Sequence, residues 1–211
     1  MSFSLTHFLD FNILILSMFP WIKGFLVEKK ISKAAFSKAF ISTFIFLFIY
    51  MYFTKINFIK KIFSSVSIKA VLISIVISLL CVSIEILIFV LKYKKIRFQR
   101  VEEDCFTVFL LLTLIIPAIE EFIFRGCIYC ICEEYFNTKL PFIFISSVCF
   151  GLNHIIYQKI NILTKSVWGI LLSLEFICYN NLFCTIITHI LCNIFIYCMG
   201  KKQKWFILFS E

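Results

Sequence analysis

Two apolar stretches limit what this chain can become. Residues 34–53 carry one charge, Lys38, and residues 70–91 carry one, Glu85. Runs of about 20 apolar residues match the ~30 Å hydrocarbon core of a bilayer when coiled as helices, and only a helix or a closed barrel satisfies its own backbone there. Applied along the chain, the same criterion gives seven segments, at 8–27, 34–53, 70–91, 105–131, 141–157, 162–179 and 181–199. Asp10, Pro20 and Lys23 weaken the first segment, and the fifth is short. Tyr179-Asn180-Asn181, read as a tight turn, separates the last two. The expected fold class is all-α, a polytopic transmembrane helical bundle without internal repeats.

Composition agrees with lipid as the solvent. Of 211 residues 62% are hydrophobic, and the mean hydropathy is +1.00. The net charge of +9 does not imply nucleic acid as a partner, because the basic residues lie between the apolar segments rather than along one stripe. With an outside N-terminus, 15 Lys and Arg, Lys159 and Lys165 among them, fall on the inside and 5 on the outside, with Arg125 inside a segment. That asymmetry favours N-out and C-in. The charged stretch Lys94–Asp104 reads either as an interfacial helix or as a loop. Met1–Thr6 carry no basic region and no cleavage site follows, so the first apolar segment is expected to be retained. The 10 Cys are scattered through apolar runs as small hydrophobes; Cys127, Cys130 and Cys132 contain a C-x-x-C spacing, but no second pair with zinc spacing accompanies it. The 28 Phe with abundant Ile, Lys and Asn suit an AT-rich genome, hence a bacterial cell membrane.

Charged side chains within a bilayer cost about 2.5–3.5 kcal/mol each at a helix centre. The fourth segment nevertheless holds Glu120, Glu121 and Arg125. Glu121 and Arg125, at i and i+4, can pair on one helical face. Glu120 points ~100° away and is left free, as a carboxylate exchanging a proton with a substrate must be. Pro117 precedes it and can kink the helix. Further on, Phe150 and His154 are four apart, with Asn153 beside them, and His189 and Asn193 are four apart in the seventh segment. The chain has 3 His; the remaining one, His7, is expected at the interface. At ~1.5 Å per residue, Glu120, His154, His189 and Asn193 lie roughly 12–20 Å from segment ends that share one side. One buried polar layer is the expected result.

The three pairs, Glu120-Glu121-x-x-x-Arg125, Phe150-x-x-x-His154 and His189-x-x-x-Asn193, resemble in order and spacing the motifs of the CAAX-protease and bacteriocin-processing family, also called CPBP or Abi, which includes the type II CAAX prenyl endopeptidases. The resemblance covers roughly residues 105–199 and divides the chain into membrane helices with an interfacial segment at 1–104, a catalytic core at 105–199 and a basic and apolar tail at 200–211. It implies that Glu120 and His154 activate a water, that His189 and Asn193 stabilise the oxyanion, and that Glu121, Arg125 and Phe150 support the site. The family is described both as metalloproteases and as metal-free glutamic proteases. Here the metal-free reading is preferred; zinc, if used, would take Glu120, His154 and His189. A further membrane helix found in the family is expected to be absent, with Trp205–Phe209 packing at the interface.

The expected function is therefore an intramembrane endopeptidase acting on a membrane-associated peptide or lipid-modified protein, among membrane lipids and without nucleic acid. The alternative is a bacteriocin-immunity or self-protection protein of the same fold that does not depend on catalysis. Glu85 and Glu175 lie in apolar segments outside the three motifs; an ion path through them would make the chain a small transporter.

Overall fold

The computed structural model describes residues 33–93, 109–154 and 159–201. Segment 8–27, the stretch Lys94–Asp104 and the tail at Trp205–Phe209 lie outside these residues. Among those described there are seven helices and no strand: α1 (Lys33–Thr54), α2 (Ile56–Ile62), α3 (Ile68–Tyr93), α4 (109–135), α5 (Leu140–Asn153), α6 (Lys159–Tyr179) and α7 (Leu182–Lys201). The all-α bundle expected from the sequence is what forms.

Its surface is inverted relative to that of a water-soluble domain. Ile68 and Phe53 are each 78% exposed, and Leu72, Val76, Leu91, Leu140 and Phe144 also face outward. The interior holds Ser74, Glu120, Glu121, Arg125, Ser146, Glu175, Thr188 and His189. Apolar residues outside and hydrogen-bonded polar residues within are what hydrocarbon demands, since lipid leaves exposed apolar surface at no cost. This is a membrane protein. α3, residues Ile162–Tyr179 of α6 and residues Leu182–Met199 of α7 are long and apolar enough to cross. That makes three such helices among the described residues, against seven segments read from the sequence. α5 is only 14 residues long, and α4 is interrupted by its charges. α4 instead occupies the centre, with every residue from 119 to 132 buried.

The helix ends gather in a consistent way. Lys55, between α1 and α2, bonds Glu134 at the end of α4 at 2.7 Å, and Asn181, between α6 and α7, donates to the carbonyl of Ser64 at 2.7 Å. The end of α4 and the α6–α7 turn therefore share one face, as the depth argument required. The turn between α6 and α7 follows its sequence: Asn180 takes a positive φ of 48°, and Asn181 Oδ1 caps α7 by accepting from the N–H of Phe183 at 2.8 Å. The α2 helix was not anticipated. It is a short amphipathic turn that buries Ile59 and Ile62 and leaves Lys60 and Lys61 outward.

α5 and α6 pack most closely of all, and glycine is the reason. A Cβ on Gly169 would lie 2.6 Å from Ser147 Cα; one on Gly151 would overlap the Ser166 side chain and lie 2.6 Å from the carbonyl oxygen of Ile162. Small residues let helix backbones approach in lipid, where dispersion and hydrogen bonds hold helices together. Replacing Gly169 with Val should force α5 and α6 apart and cost about 1–3 kcal/mol. It should lower the thermal midpoint in detergent, whereas Gly126→Ala, whose Cβ would meet nothing closer than 3.7 Å, should melt with the wild type. Equal midpoints for Gly169→Val and wild type would contradict this packing.

Candidate active site

α4 is where the charged residues are placed. Its stretch Ile116–Glu121 is α-helical, with π-helical turns before it, Leu111–Ile115, and after it, Phe122–Cys127. Pro117 at the start of the α-helical stretch has no N–H to donate to the preceding turn, which favours a widened turn there. The second wide turn holds Arg125. Such π turns occur disproportionately at functional sites.

Arg125 is fully buried and has three partners. Nη1 donates to Glu121 Oε1 at 2.9 Å, Nη2 donates to the carbonyl of Gly169 on α6 at 3.2 Å, and the guanidinium lies 4.5 Å from the centroid of the Phe150 ring on α5. An ion pair, a backbone acceptor and an aromatic face together offset the desolvation of a charge that would otherwise be too costly to bury. The expected i, i+4 pairing of Glu121 with Arg125 is present.

Glu121 Oε1 also accepts from His189 Nδ1 on α7 at 2.8 Å. Because a carboxylate accepts, Nδ1 carries the proton, and the opposite nitrogen is the one turned to Glu120: His189 Nε2 lies 3.6 Å from Glu120 Oε2. The other oxygen, Glu120 Oε1, accepts from Asn153 Nδ2 at 2.9 Å. Glu120 is therefore not left free, as its position on the helix suggested. It is buried, away from the guanidinium's direct bonds, between an amide and an imidazole. Glu121 Oε2, Arg125 Nε and Asn153 Oδ1 are buried without hydrogen-bond partners among the described residues.

Phe150 ties the remaining parts together. Its ring meets His189 edge-to-face at 5.4 Å and His154 at 5.0 Å, while His154 Nδ1 is 2.9 Å from the Phe150 carbonyl at the end of α5. Glu120, Glu121, Arg125, Phe150, His154 and His189 thus form one connected cluster from three helices. Asn193, one turn beyond His189, donates to the carbonyl of Leu112 in the first π turn at 3.2 Å.

Two members of the cluster were not read as site residues. Asn153 was noted only as a neighbour of His154, though a primary amide in an apolar run already signalled a buried partner. Trp168, fully buried and 6.3 Å from His189 ring to ring, had no polar pattern to single it out. The two unassigned carboxylates also find partners. Glu175 accepts from Ser74 Oγ at 2.6 Å and Thr188 Oγ1 at 2.8 Å, and Glu85 pairs with Lys165 at 2.8 Å. Lys165 is thus part of the bundle interior, not of the inside loop to which the charge count assigned it. Cys127, Cys130 and Cys132 are buried. Among the described residues no three His, Cys, Asp or Glu side chains group as metal ligands.

Removing one partner of a buried ion pair typically costs about 3–5 kcal/mol. Arg125→Met should lower stability by that order in a detergent unfolding assay, and Arg125→Met with Glu121→Gln should recover part of it. A single variant as stable as wild type would show that the guanidinium is not the junction described.

No curated protein and no solved structure matches this chain. Residues 102–195 match the family model described as type II CAAX prenyl endopeptidase Rce1-like. The three motifs and the whole buried cluster lie inside that stretch, and over these residues the chain is similar to the CAAX-protease-like family.

Proposed function

We propose that this chain is an intramembrane endopeptidase in which Glu120 activates a water molecule for attack on a peptide carbonyl. The observation that carries the reading is a separation of roles between adjacent carboxylates. Glu121 is committed to Arg125 and His189, whereas Glu120 holds only an amide from Asn153 and faces His189 Nε2 at 3.6 Å. A base must be buried, oriented and uncommitted. The family-model match over residues 102–195 supports the same reaction class.

In the proposed sequence Glu120 takes a proton from water as the water oxygen bonds to the carbonyl carbon. The carbonyl oxygen becomes an oxyanion. His189, in its doubly protonated form, donates to that oxygen from Nε2 while Glu121 holds Nδ1. Asn193 is assigned as the second donor, since its amide nitrogen carries two hydrogens and Leu112 uses one. Preorganised donors of this kind are worth about 3–4 kcal/mol each. Glu120 then returns its proton to the amide nitrogen as the C–N bond breaks. His154 is assigned to orient the water, from its place beside Phe150. The substrate is a membrane-associated peptide or lipid-modified protein that reaches the site from the bilayer, and the mechanism is read without a resident metal.

Glu120→Gln should reduce cleavage of a fluorogenic peptide library by at least about 10²-fold while leaving the melting midpoint of the purified protein near that of wild type. His189→Gln should lose a comparable factor. Cleavage that survives Glu120→Gln would overturn the reading, and the cluster would then serve recognition alone.

A further inference from the structure

One buried charge has no part in that mechanism. Lys165 on α6 is only 8% exposed, within a stretch apolar enough to span a membrane. Its Nζ lies 2.8 Å from Glu85 Oε2 on α3 and 3.2 Å from the centroid of the Trp168 ring. Trp168 is itself fixed at its edge, donating from Nε1 to the carbonyl of Cys81 on α3 at 2.8 Å. The same ring meets His189 edge-to-face, with centroids 6.3 Å apart and planes at 89°.

A pair that served stability alone would need only Glu85 and Lys165 to neutralise one another. Here the cation rests on an aromatic ring that also borders an active-site imidazole. One hydrogen bond, at Nδ1, ties the His189 ring to Glu121, and the ring's soft rotation is about its Cβ–Cγ bond. Two aromatic neighbours oppose the turn: Phe150 at 5.4 Å and Trp168. Turning would carry Nε2 away from Glu120, and displacements of about 1 Å at a reacting group can cost 10²-fold in rate.

We propose that Lys165 is a positioning residue: with Glu85 it fixes the Trp168 ring, and through that ring it fixes the orientation of His189 toward Glu120. The kinetic consequence rests on the endopeptidase reading; the geometric one does not.

Three variants of the full chain, purified in detergent, separate the possibilities. Lys165→Met with Glu85→Gln removes both charges, so that no unpaired buried charge opposes folding. Lys165→Glu with Glu85→Lys keeps an ion pair but takes the cation off Trp168. Lys165→Arg keeps both the pair and a cation that stacks on an aromatic face. The first two should lower kcat by about tenfold or more, leave KM within about twofold, and shift the His189 signal in a side-chain 15N–1H spectrum. That signal can be assigned because the chain has 3 His. Lys165→Arg should recover most of kcat and the wild-type signal. Wild-type kcat with an unshifted His189 signal in the neutral variant would overturn the proposal, as would a charge-swapped variant that behaves like wild type. If the wild-type protein cuts no peptide, the proteolytic reading falls on its own. The His189 signal then decides: a shift in the neutral variant upholds the positioning role, and no shift overturns it.

Discussion

A single guanidinium organises this bundle. Arg125 cannot stay inside hydrocarbon unless its charge and its donors are met, and meeting them draws in three helices. Glu121 answers from its own helix, the Gly169 carbonyl from α6 and the Phe150 ring from α5. The Glu121 carboxylate, anchored by Arg125, then captures His189 from α7. In water such a pair would contribute little. In lipid the alternative is an uncompensated charge, so the same contacts become a specification of which helices must meet and at what depth.

That specification extends to chemistry through the difference between neighbours in sequence. Glu120 and Glu121 are adjacent on an α-helical turn and therefore face different partners. One accepts from two strong donors, the other holds an amide and faces an imidazole. Pairs of carboxylates whose surroundings differ are how one fold divides structural and chemical work between like residues. The wide turns on either side of Ile116–Glu121 matter here because each changes the angular register of α4 relative to its neighbours.

Much of this was legible in the sequence, for a physical reason. Polar residues in apolar runs are so expensive that each one must have a partner, so Glu120, Glu121, Arg125, His154 and His189 could be expected to converge before any geometry was known. Spacing was enough to pair Glu121 with Arg125, because i, i+4 contacts are local. It was not enough for the partners of Glu120, because Asn153 and His189 arrive from other helices at angles that no one-dimensional pattern encodes. Lys165 was misplaced for a related reason: six residues into α6, a lysine reads as a loop charge until Glu85 is seen opposite it. Trp168 and the glycine contacts between α5 and α6 left no polar signal at all, and α2 was too short to register as a segment.

The close seam between α5 and α6 has a consequence for how such a molecule is built. Those helices are consecutive in the chain, so their contact closes a short loop and can form as soon as both have left the ribosome and entered lipid. α4, already neutralised within itself by Glu121 and Arg125, has its α5 and α6 partners at that stage. The imidazole opposite Glu120 is contributed only by α7, synthesised afterward. Under the proposed mechanism, chain order thus acts as a safety catch, keeping a half-inserted molecule chemically silent until its final pieces dock.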